Sequence, residues 1–568
     1  MPKSDIYVYE LVNKVKRGEL LLPEMQRRYI WPATKVRDLL DSLYRSYPTG
    51  TILVWETDEQ VVTKELSIQP TQTPTTSSRL LLLDGQQRIT SLASIMSGQP
   101  VIVRNRRKPI EILFNLEHPE GHPQEVLDID ENDYIEDLDE IEDDNSAERD
   151  IQFELKNRTF VVYSRALQNN PAWISVSDIF KKTDKELLKP FGINSDDPRW
   201  DKYSDRLKKV RDISNYLYVM QTLEKDKSYE EVTEIFIRVN SLGIKLRSSD
   251  LALAQITSKW KGFMKQIEEF AIEFKEDEDY VIESGLPVRL LTIFATHQSR
   301  FKTIGKLSVE KLKSAWEQAK GSLRFAINFV KSNADIDSLK HISSPFLLIP
   351  IAVFGSLKDE KLTLEEEKML LRWFFLAHMR GHYSMGSSES ILDADLSSLF
   401  KNKNFADLTS ILQNHVKKFI VDENDLQGKS RRSPMFSMLY FVLKNNGAKD
   451  WFSGLCLSAK HVGKSHSLQY HHIFPKSVLR QAGYEKREIN EIANLAFISG
   501  KTNRHILNKE PLKYFETDVI AKRGEESLTS QLISMDKTLW QVKNYLQFLD
   551  YRRHQIADEI NKYLKKYE

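Results

Sequence analysis

Apolar residues first recur at helical spacing and then form runs typical of strands. A short loop is predicted around Pro23, and a Pro-Thr-Gly turn leads into a predicted strand at 51–55. Four consecutive leucines at 80–83 predict a second strand. The helix between the loop and the turn is indicated by Val36, Leu39, Leu40 and Leu43. The chain therefore opens with mixed helix and strand.

The second strand leads directly into another predicted helix, over 86–98, which ends at Gly98. Further strands are predicted at 110–116 and 160–164. From about 205 to 420 the pattern becomes almost wholly helical, because apolar residues lie three and four apart. We predict an α/β domain at 1–204, a helical domain at 205–420 and a third domain at 421–568.

Composition fits several globular domains. The chain has 568 residues, of which 40% are hydrophobic and 29% charged, which is enough for two to four cores. The longest apolar run, 346–355, is about half of what a membrane span needs. The N-terminus lacks a signal-peptide pattern, and Cys456 is the only cysteine. We expect a cytoplasmic protein without membrane contact or a thiolate zinc site.

Charge is distributed unevenly, although the net charge is only +1. Residues 126–150 contain 13 acidic residues and one basic residue, typical of a solvated loop or insertion, with metal binding and DNA mimicry as alternatives. Residues 421–568 contain 24 Lys and Arg against 17 Asp and Glu. The C-terminal region is therefore the better candidate for contact with phosphates.

The most specific pattern lies at 466–511. A polar, aromatic strand is predicted to end at His471 and His472, followed by a Pro-containing loop of about twenty residues. A second strand opens at Asn494, and Asn503 lies on the helix after it. Adjacent strand residues face opposite sides, so the two histidines would have different roles. Phosphodiester hydrolysis needs two such roles, a general base and a ligand for a cation. A loop in which one histidine is satisfied by hydrogen bonds, with no catalytic role, is the alternative interpretation.

This order of residues resembles the HNH endonuclease family, in the variant whose last position is Asn. The resemblance implies that His472 is the general base and that His471 binds one Mg²⁺ or Mn²⁺ ion. Asn494 would hold the loop that orients the base. Asn503 would complete the metal site where many members have a third His. The zinc-binding cysteine pairs of many such modules are absent, so this module would depend on its own core.

A second candidate site is the sequence Asp-Gly-Gln-Gln-Arg at 84–88, between a predicted strand and helix. Backbone N–H groups and the helix dipole make such a junction able to bind anions. Arg88 and Thr90 add side-chain donors. A tight turn without a ligand explains the same segment, so the wider sequence has to distinguish the two interpretations.

Two other segments bear on this choice. The segment 23–31 offers Gln26 and Arg27 as donors, and its Tyr29 and Trp31 suit either core packing or contact with DNA. The segment 236–254 contains Arg238 and Asn240, together with Gly243 and Asp250. Capping of one helix by Asn240 and Gly243 and the start of another at Asp250 would explain this second segment without a ligand.

Together the three segments resemble the N-terminal domain of GmrSD-type, modification-dependent restriction nucleases, in which an NTPase domain precedes an HNH-like domain. Their order also resembles the ParB nucleotide-binding core. The resemblance implies that Arg88 contacts phosphate and that Asp84 or Gln87 orients water or Mg²⁺. The implied nucleotide site comprises Gln26, Arg27, Asp84, Gly85, Gln86, Gln87, Arg88, Thr90, Arg238 and Asn240.

The sequence thus predicts an α+β, mostly helical protein with a ParB-like N-terminal domain, a helical middle and a C-terminal ββα-metal motif. The expected function is NTP-regulated cutting or nicking of modified double-stranded DNA, such as phage DNA. An NTP-switched DNA-binding or clamp protein with a silent HNH module is the alternative, and an RNA-directed nuclease is a third. The sequence does not identify the NTP, and it leaves open whether the protein forms a homodimer.

Overall fold

The structure is a computed structural model of the full chain. It describes residues 2–24, 31–58, 63–64, 79–98, 110–120, 158–163, 172–242, 248–274, 282–336, 338–384, 387–416, 418–458, 468–506 and 508–568. These residues form two compact units, Met1–Met264 and Lys265–Glu568. The predicted division at 204 and 420 stays a prediction. Helix makes up 61% of the structure, consistent with a mostly helical α+β protein.

Unit one contains nine described strands and six labelled helices. The strands are β1 Lys3–Tyr7, β2 Leu20–Pro23, β3 Ile52–Thr57, β4 Thr63–Lys64, β5 Arg79–Asp84, β6 Ile112–Asn115, β7 Phe160–Val162, β8 Trp173–Ser175 and β9 Leu217–Leu223. The helices are α1 Val8–Lys16, α2 Ala33–Tyr44, α3 Gln86–Ser97, α4 Trp200–Arg211, α5 Tyr229–Leu242 and α6 Ser248–Lys259. One-turn helices at Val176–Ile179 and Asp184–Leu188 lie between β8 and α4.

A six-stranded mixed sheet organises this unit in the order β1-β9-β3-β5-β2-β4. Strand β5 lies between β3, which is antiparallel to it, and β2, which is parallel to it. Strands β7, β6 and β8 form a separate three-stranded sheet. Asp84, the last residue of β5, is opposite Leu53, so the end of this central strand lies beside β3.

Both faces of the large sheet are covered, which explains the uninterrupted leucines of β5. Leu82 belongs to the core that includes α1, α2 and α3. Leu81 and Leu83 belong to a second core with Val232 and Phe236 of α5. A strand buried on both faces reads as a continuous apolar run rather than an alternating one.

Most predicted elements of this unit are present, with two corrections. The helix after Pro23, the strands of 51–55 and 80–83 and the helix of 86–98 are all confirmed. The predicted loop centred on Pro23 is wrong at its start, because Leu20–Pro23 is strand β2, paired with β5. The region after 205 is not wholly helical, because β9 pairs with β1 and β3.

Unit two is built mainly from helices. Helix α7, Phe263–Ile272, crosses the boundary between the units. The later α-helices of six or more residues among the described residues are α8 Gly285–Thr296, α9 Val309–Asn333, α10 Leu348–Leu357, α11 Leu364–Met379, α12 Ser388–Asn402, α13 Ala406–Val416, α14 Pro434–Asn445, α15 Lys476–Gln481, α16 Gly500–Ile506 and α17 Tyr545–Lys565. Helices α9 and α10 approach closely: a Cβ at Gly355 would lie 2.3 Å from the Phe325 ring. Within the described residues, no helix is long and apolar enough to span a membrane.

Two antiparallel strands complete this unit, β10 Leu468–His472 and β11 Leu495–Ser499. A two-stranded sheet is marginal alone and exposes unpaired edges. Here the Gln531 side chain accepts from the Phe497 N–H (2.9 Å) and donates to the Phe497 carbonyl (2.7 Å), as a neighbouring strand would. The buried Arg552 guanidinium donates to the Ala493 and Leu495 carbonyls. These side chains hold β11, and burial lowers the pKa of Arg552 to about 9.

Candidate functional site

The Asp-Gly-Gln-Gln-Arg segment forms a sharp strand-to-helix turn. Strand β5 ends at Asp84, Gly85 has φ +94°, and α3 begins at Gln86. A Cβ at position 85 would lie 2.5 Å from the Ile52 Cδ1 atom. Both the left-handed conformation and the close approach require glycine, so the turn and its orientation toward β3 depend on this residue.

Arg88 links this turn to the turn before β3. Its guanidinium donates to the Thr49 carbonyl, to the Thr51 carbonyl at 2.7 Å and to the Asp84 carboxylate at 3.4 Å. The guanidinium carbon also lies 5.7 Å from the centre of the Tyr218 ring. In this arrangement Arg88 stabilises the site itself; its predicted contact with phosphate is untested.

Gln87 connects the turn at 84–88 to Trp31, the last residue of the segment 23–31. The Trp31 backbone N–H donates to the Gln87 Oε1 atom at 3.1 Å, and Trp31 packs partly buried against the core. Gln86 and Gln87 are buried, as is Thr90, whose hydroxyl has no hydrogen-bond partner among the described residues. Trp31 therefore contacts the core, as its core-packing interpretation predicts, while contact with DNA stays a prediction.

The remaining predicted nucleotide residues are less fully described. Gln26, Arg27 and Tyr29 lie outside the described residues, as does Gly243. Arg238 on α5 is 76% exposed and pairs with Glu234, one turn earlier. Asn240 lies in the last turn of α5, and its side chain is outside the described part; because α5 continues to Leu242, Asn240 does not cap it. Asp250 lies in the first turn of α6, as predicted.

Tyr218 is a residue of this site that the sequence analysis missed. Its hydroxyl accepts from the Thr49 hydroxyl at 2.8 Å. Burial raises the pKa of Tyr218, against the Thr49 hydrogen bond and the Arg88 charge, which lower it. The run of four apolar residues from Leu217 to Met220 was the available signal, but the helical pattern around it hid the strand.

The two histidines of β10 have different partners, as expected for adjacent strand residues. His471 is buried, and its Nδ1 atom lies 2.8 Å from the Asn503 Oδ1 atom. His472 is partly exposed, and its Nε2 atom lies 3.3 Å from the Asn490 Oδ1 atom. In the register of the strands, His471 is opposite Ala496 and His472 opposite Leu495. The order strand, strand, helix agrees with the predicted order of elements.

His471 and Asn503 fit two ligands of one cation. Mg²⁺ takes octahedral ligands at about 2.1 Å, which places neighbouring ligand atoms roughly 3 Å apart; the His471 Nδ1 and Asn503 Oδ1 atoms are 2.8 Å apart. Burial lowers the pKa of His471 to about 4, so its imidazole is neutral at neutral pH. Because the Asn503 amide oxygen only accepts, Nδ1 carries the hydrogen in this geometry, and a cation at Nδ1 would need the tautomer with hydrogen on Nε2. The Asn503 amide is oriented by its bond to Gln469, at 3.0 Å.

No three His, Cys, Asp or Glu side chains cluster around a possible metal position in the described part of the chain. Any cation at His471 would therefore rely on Asn503 and on oxygen atoms from water or substrate phosphate. Such a cation is weakly held by protein and is typical of Mg²⁺, which keeps several waters.

The contact with Asn490 sets the protonation of the His472 ring. The Asn490 Nδ2 atom donates to the Lys486 carbonyl at 3.0 Å, which directs its Oδ1 atom toward His472. An amide oxygen only accepts, so this geometry favours hydrogen on Nε2 and a lone pair on Nδ1. Burial, then the Lys476 charge, lowers the pKa of His472 well below its ordinary value, so the ring is neutral. A neutral, oriented imidazole can accept a proton.

Asn494 holds the chain that follows the histidines. It is fully buried, its Oδ1 atom accepts from the Phe474 N–H at 2.9 Å, and its Nδ2 atom donates to the Phe474 and Ile489 carbonyls. The loop between His472 and Asn494 is partly helical, with α15 and the turn Lys486–Ile489. Asn494 therefore ties both ends of this loop, close to Asn490.

Asp450 supports the β11–α16 junction that carries Asn503. Its carboxylate accepts from the Ser499 N–H at 2.6 Å, the Thr502 hydroxyl at 2.8 Å and the Ser453 N–H at 2.7 Å. Burial raises the pKa of Asp450, but these hydrogen bonds outweigh that effect and hold it below the usual 3.8. Nothing in its local sequence indicates this role, because Asp450 lies about fifty residues upstream of Ser499 and Thr502.

Asp450→Asn is expected to destabilise unit two by about 2–4 kcal/mol at pH 7, because an amide presents N–H groups to donors. The native carboxyl has a depressed pKa, so its stabilisation is complete above the unfolded pKa of about 4 and is lost as pH falls through the folded pKa. The difference between the variant and the native protein should therefore shrink as pH falls below about 4. Denaturant unfolding measures it, with Asp550→Asn, 72% exposed, as the control; equal losses in both variants would contradict the role of Asp450.

Comparison with known proteins finds a family match within unit one and a relative that covers most of the chain. Residues 8–257 match the family described as the GmrSD restriction endonuclease, N-terminal domain. The chain is also 23% identical over 578 residues to an uncharacterized protein of Methanocaldococcus jannaschii, covering 95% of this chain and 90% of that protein. The first match lies on the unit that contains the Asp84–Arg88 turn. Unit one is therefore similar to the N-terminal domain of that family.

Proposed function

We propose that the protein is a metal-dependent DNA endonuclease that restricts modified foreign DNA, such as phage DNA, under control of a nucleoside triphosphate. The proposal has a nuclease part in unit two and a nucleotide part in unit one. The observation that carries it is the divided role of the β10 histidines: one lies 2.8 Å from Asn503 and the other is oriented by Asn490.

In the nuclease part, His472 accepts a proton from the attacking water at its Nδ1 atom. Asn490 keeps hydrogen on Nε2, and Asn494 fixes the loop from which Asn490 projects. His471 and Asn503 would hold Mg²⁺ or Mn²⁺, which when bound neutralises negative charge on the phosphate and on the leaving oxygen. The neutral state of both rings supports these two roles at neutral pH.

In the nucleotide part, the Asp84–Arg88 turn would bind an NTP with Mg²⁺. The first backbone N–H groups of α3 and the positive end of its dipole lie beside Gly85, which suits phosphate binding. The Asp84 side chain is 38% exposed at the end of β5 and is able to reach a metal or water. The Gln87 side chain accepts a hydrogen bond from the Trp31 N–H, and Trp31 follows Gln26 and Arg27 closely in the sequence.

A plasmid-nicking assay on the full-length protein tests the proposal. Modified phage DNAs and unmodified DNA are incubated with Mg²⁺ or Mn²⁺, with each NTP and without. We expect metal-dependent cleavage of at least one modified DNA at a rate that changes with NTP. NTP-dependent DNA binding without cleavage under either metal would favour a clamp with a silent HNH module. Cleavage of RNA but not DNA would favour an RNA-directed nuclease.

A further inference from the structure

We propose that Arg431 binds a phosphate of the DNA strand cut beside His472. The inference rests on the proposed nuclease function and identifies a substrate-contacting residue outside the β10–β11–α16 motif. It comes from the segment Gly428–Ser433, which we name the basic segment. Among its six residues are Lys429, Arg431 and Arg432, and no acidic residue.

The basic segment is held against the loop whose Asn490 orients His472. The Gly428 N–H donates to the buried Glu491 carboxylate at 2.8 Å, and the Ile492 N–H donates to the Lys429 carbonyl at 2.8 Å. Gly428 has φ +64°, and a Cβ there would lie 2.0 Å from the Arg487 Nε atom. The position of the segment relative to Asn490 and Asn494 is therefore set by backbone hydrogen bonds.

Within this segment, Arg431 lies over an aromatic ring next to the candidate base. Its guanidinium carbon is 5.0 Å from the centre of the Tyr470 ring, and that ring is 6.4 Å from the His472 ring, centre to centre. Phe436 packs edge-on against Tyr470 at 5.9 Å and limits its movement. Arg431 therefore has a defined position on the face of β10 from which His472 projects.

The chemistry of the guanidinium suits a phosphate at this point. Stacking on a ring uses the face of the group, whereas its in-plane N–H groups bind phosphate oxygens in pairs. Water activated at His472 must lie within hydrogen-bond reach of that ring, so the phosphate that this water attacks lies on the far side of the water from the ring. Arg431 is separated from the His472 ring by the Tyr470 ring, so its guanidinium can contact this phosphate or the next one along the strand. A mobile surface lysine would contact these phosphates less selectively.

Arg431→Ala and Arg431→Lys test the proposal in the full-length protein with Mg²⁺ or Mn²⁺ and a plasmid substrate. Arg431→Ala should slow cleavage about 10- to 100-fold, the loss of one charged hydrogen-bond partner, and Arg431→Lys should restore part of the rate. Lys302→Ala, which removes an exposed cation far along the sequence, is the control and should cut normally. Thermal unfolding of each variant checks that the fold is retained.

A binding measurement separates this inference from the nuclease proposal. Duplex DNA is titrated onto His472→Ala and onto the double variant His472→Ala, Arg431→Ala at several salt concentrations. Loss of one phosphate contact should reduce the slope of log K against log salt by about 0.9. An unchanged slope and a normal cleavage rate would overturn the role of Arg431. If the native protein binds DNA but never cuts it, the proposed nuclease function is wrong, and the salt slope of DNA binding still tests the role of Arg431. If the native protein neither binds nor cuts DNA, both proposals are wrong.

Discussion

Replacing His472 with alanine is expected to reduce DNA cleavage by about 10²- to 10⁴-fold, the usual contribution of a general base. The loss should be in the chemical step, because the imidazole is neutral, its Nε2 atom faces Asn490 and only its Nδ1 atom is left to accept a proton from water. NTP hydrolysis should be unchanged, because the proposed nucleotide residues lie in the other unit. Single-turnover cleavage and phosphate release measure the two effects separately.

The matched control for this change is His554→Ala, which removes another histidine of the same unit. His554 lies on α17, is 63% exposed and pairs with Asp558, so its loss should leave cleavage intact. Asn490→Ala should give an intermediate loss, because it removes the orientation of the ring but not the base. A His472→Ala protein that cuts at the normal rate would show that the catalytic assignment is wrong.

Asp84→Ala is expected to reduce NTP hydrolysis at least 100-fold while leaving the fold intact. Its carboxylate is partly exposed and its bond to Arg88 is long, at 3.4 Å, so little stability depends on it. Loss of a group that orients water or Mg²⁺ removes transition-state stabilisation. Phosphate release measures the effect, and thermal unfolding checks the fold.

Arg88→Ala should behave differently, because Arg88 also has a structural role. Removing its guanidinium leaves the Thr49 and Thr51 carbonyls without these bonds, and we expect a loss of about 2–4 kcal/mol in addition to lost NTP hydrolysis. Asp58→Ala, an exposed acidic residue of the same unit, is the control. An Asp84→Ala protein that hydrolyses NTP normally would remove Asp84 from the site, and a fully stable Arg88→Ala protein would contradict the structural role.

The sequence predicted most elements that carry a strong local signal. The helix from Gln86 to Gly98, the strand of four leucines and the strand ending at His472 all follow from short-range pattern and turn chemistry. Strands β1 and β9 were not predicted, because an edge pairing between residues more than two hundred positions apart leaves little local trace. Strand β2 was not predicted for a different reason: it ends at Pro23, and proline usually indicates a loop rather than a strand.

For the candidate sites too, some features follow from the sequence and others only from the tertiary structure. Sequence alone determined which residue types occur together: the histidine pair, Asn494 and Asn503 at one end, and Asp84 to Arg88 at the other. Only the tertiary structure decided that Asn490 orients His472, that Asp450 supports the β11–α16 junction and that Arg88 donates to the turn before β3. The reason is physical: spacing along one element fixes which face a side chain occupies, whereas its hydrogen-bond partner on another element depends on how the whole unit packs.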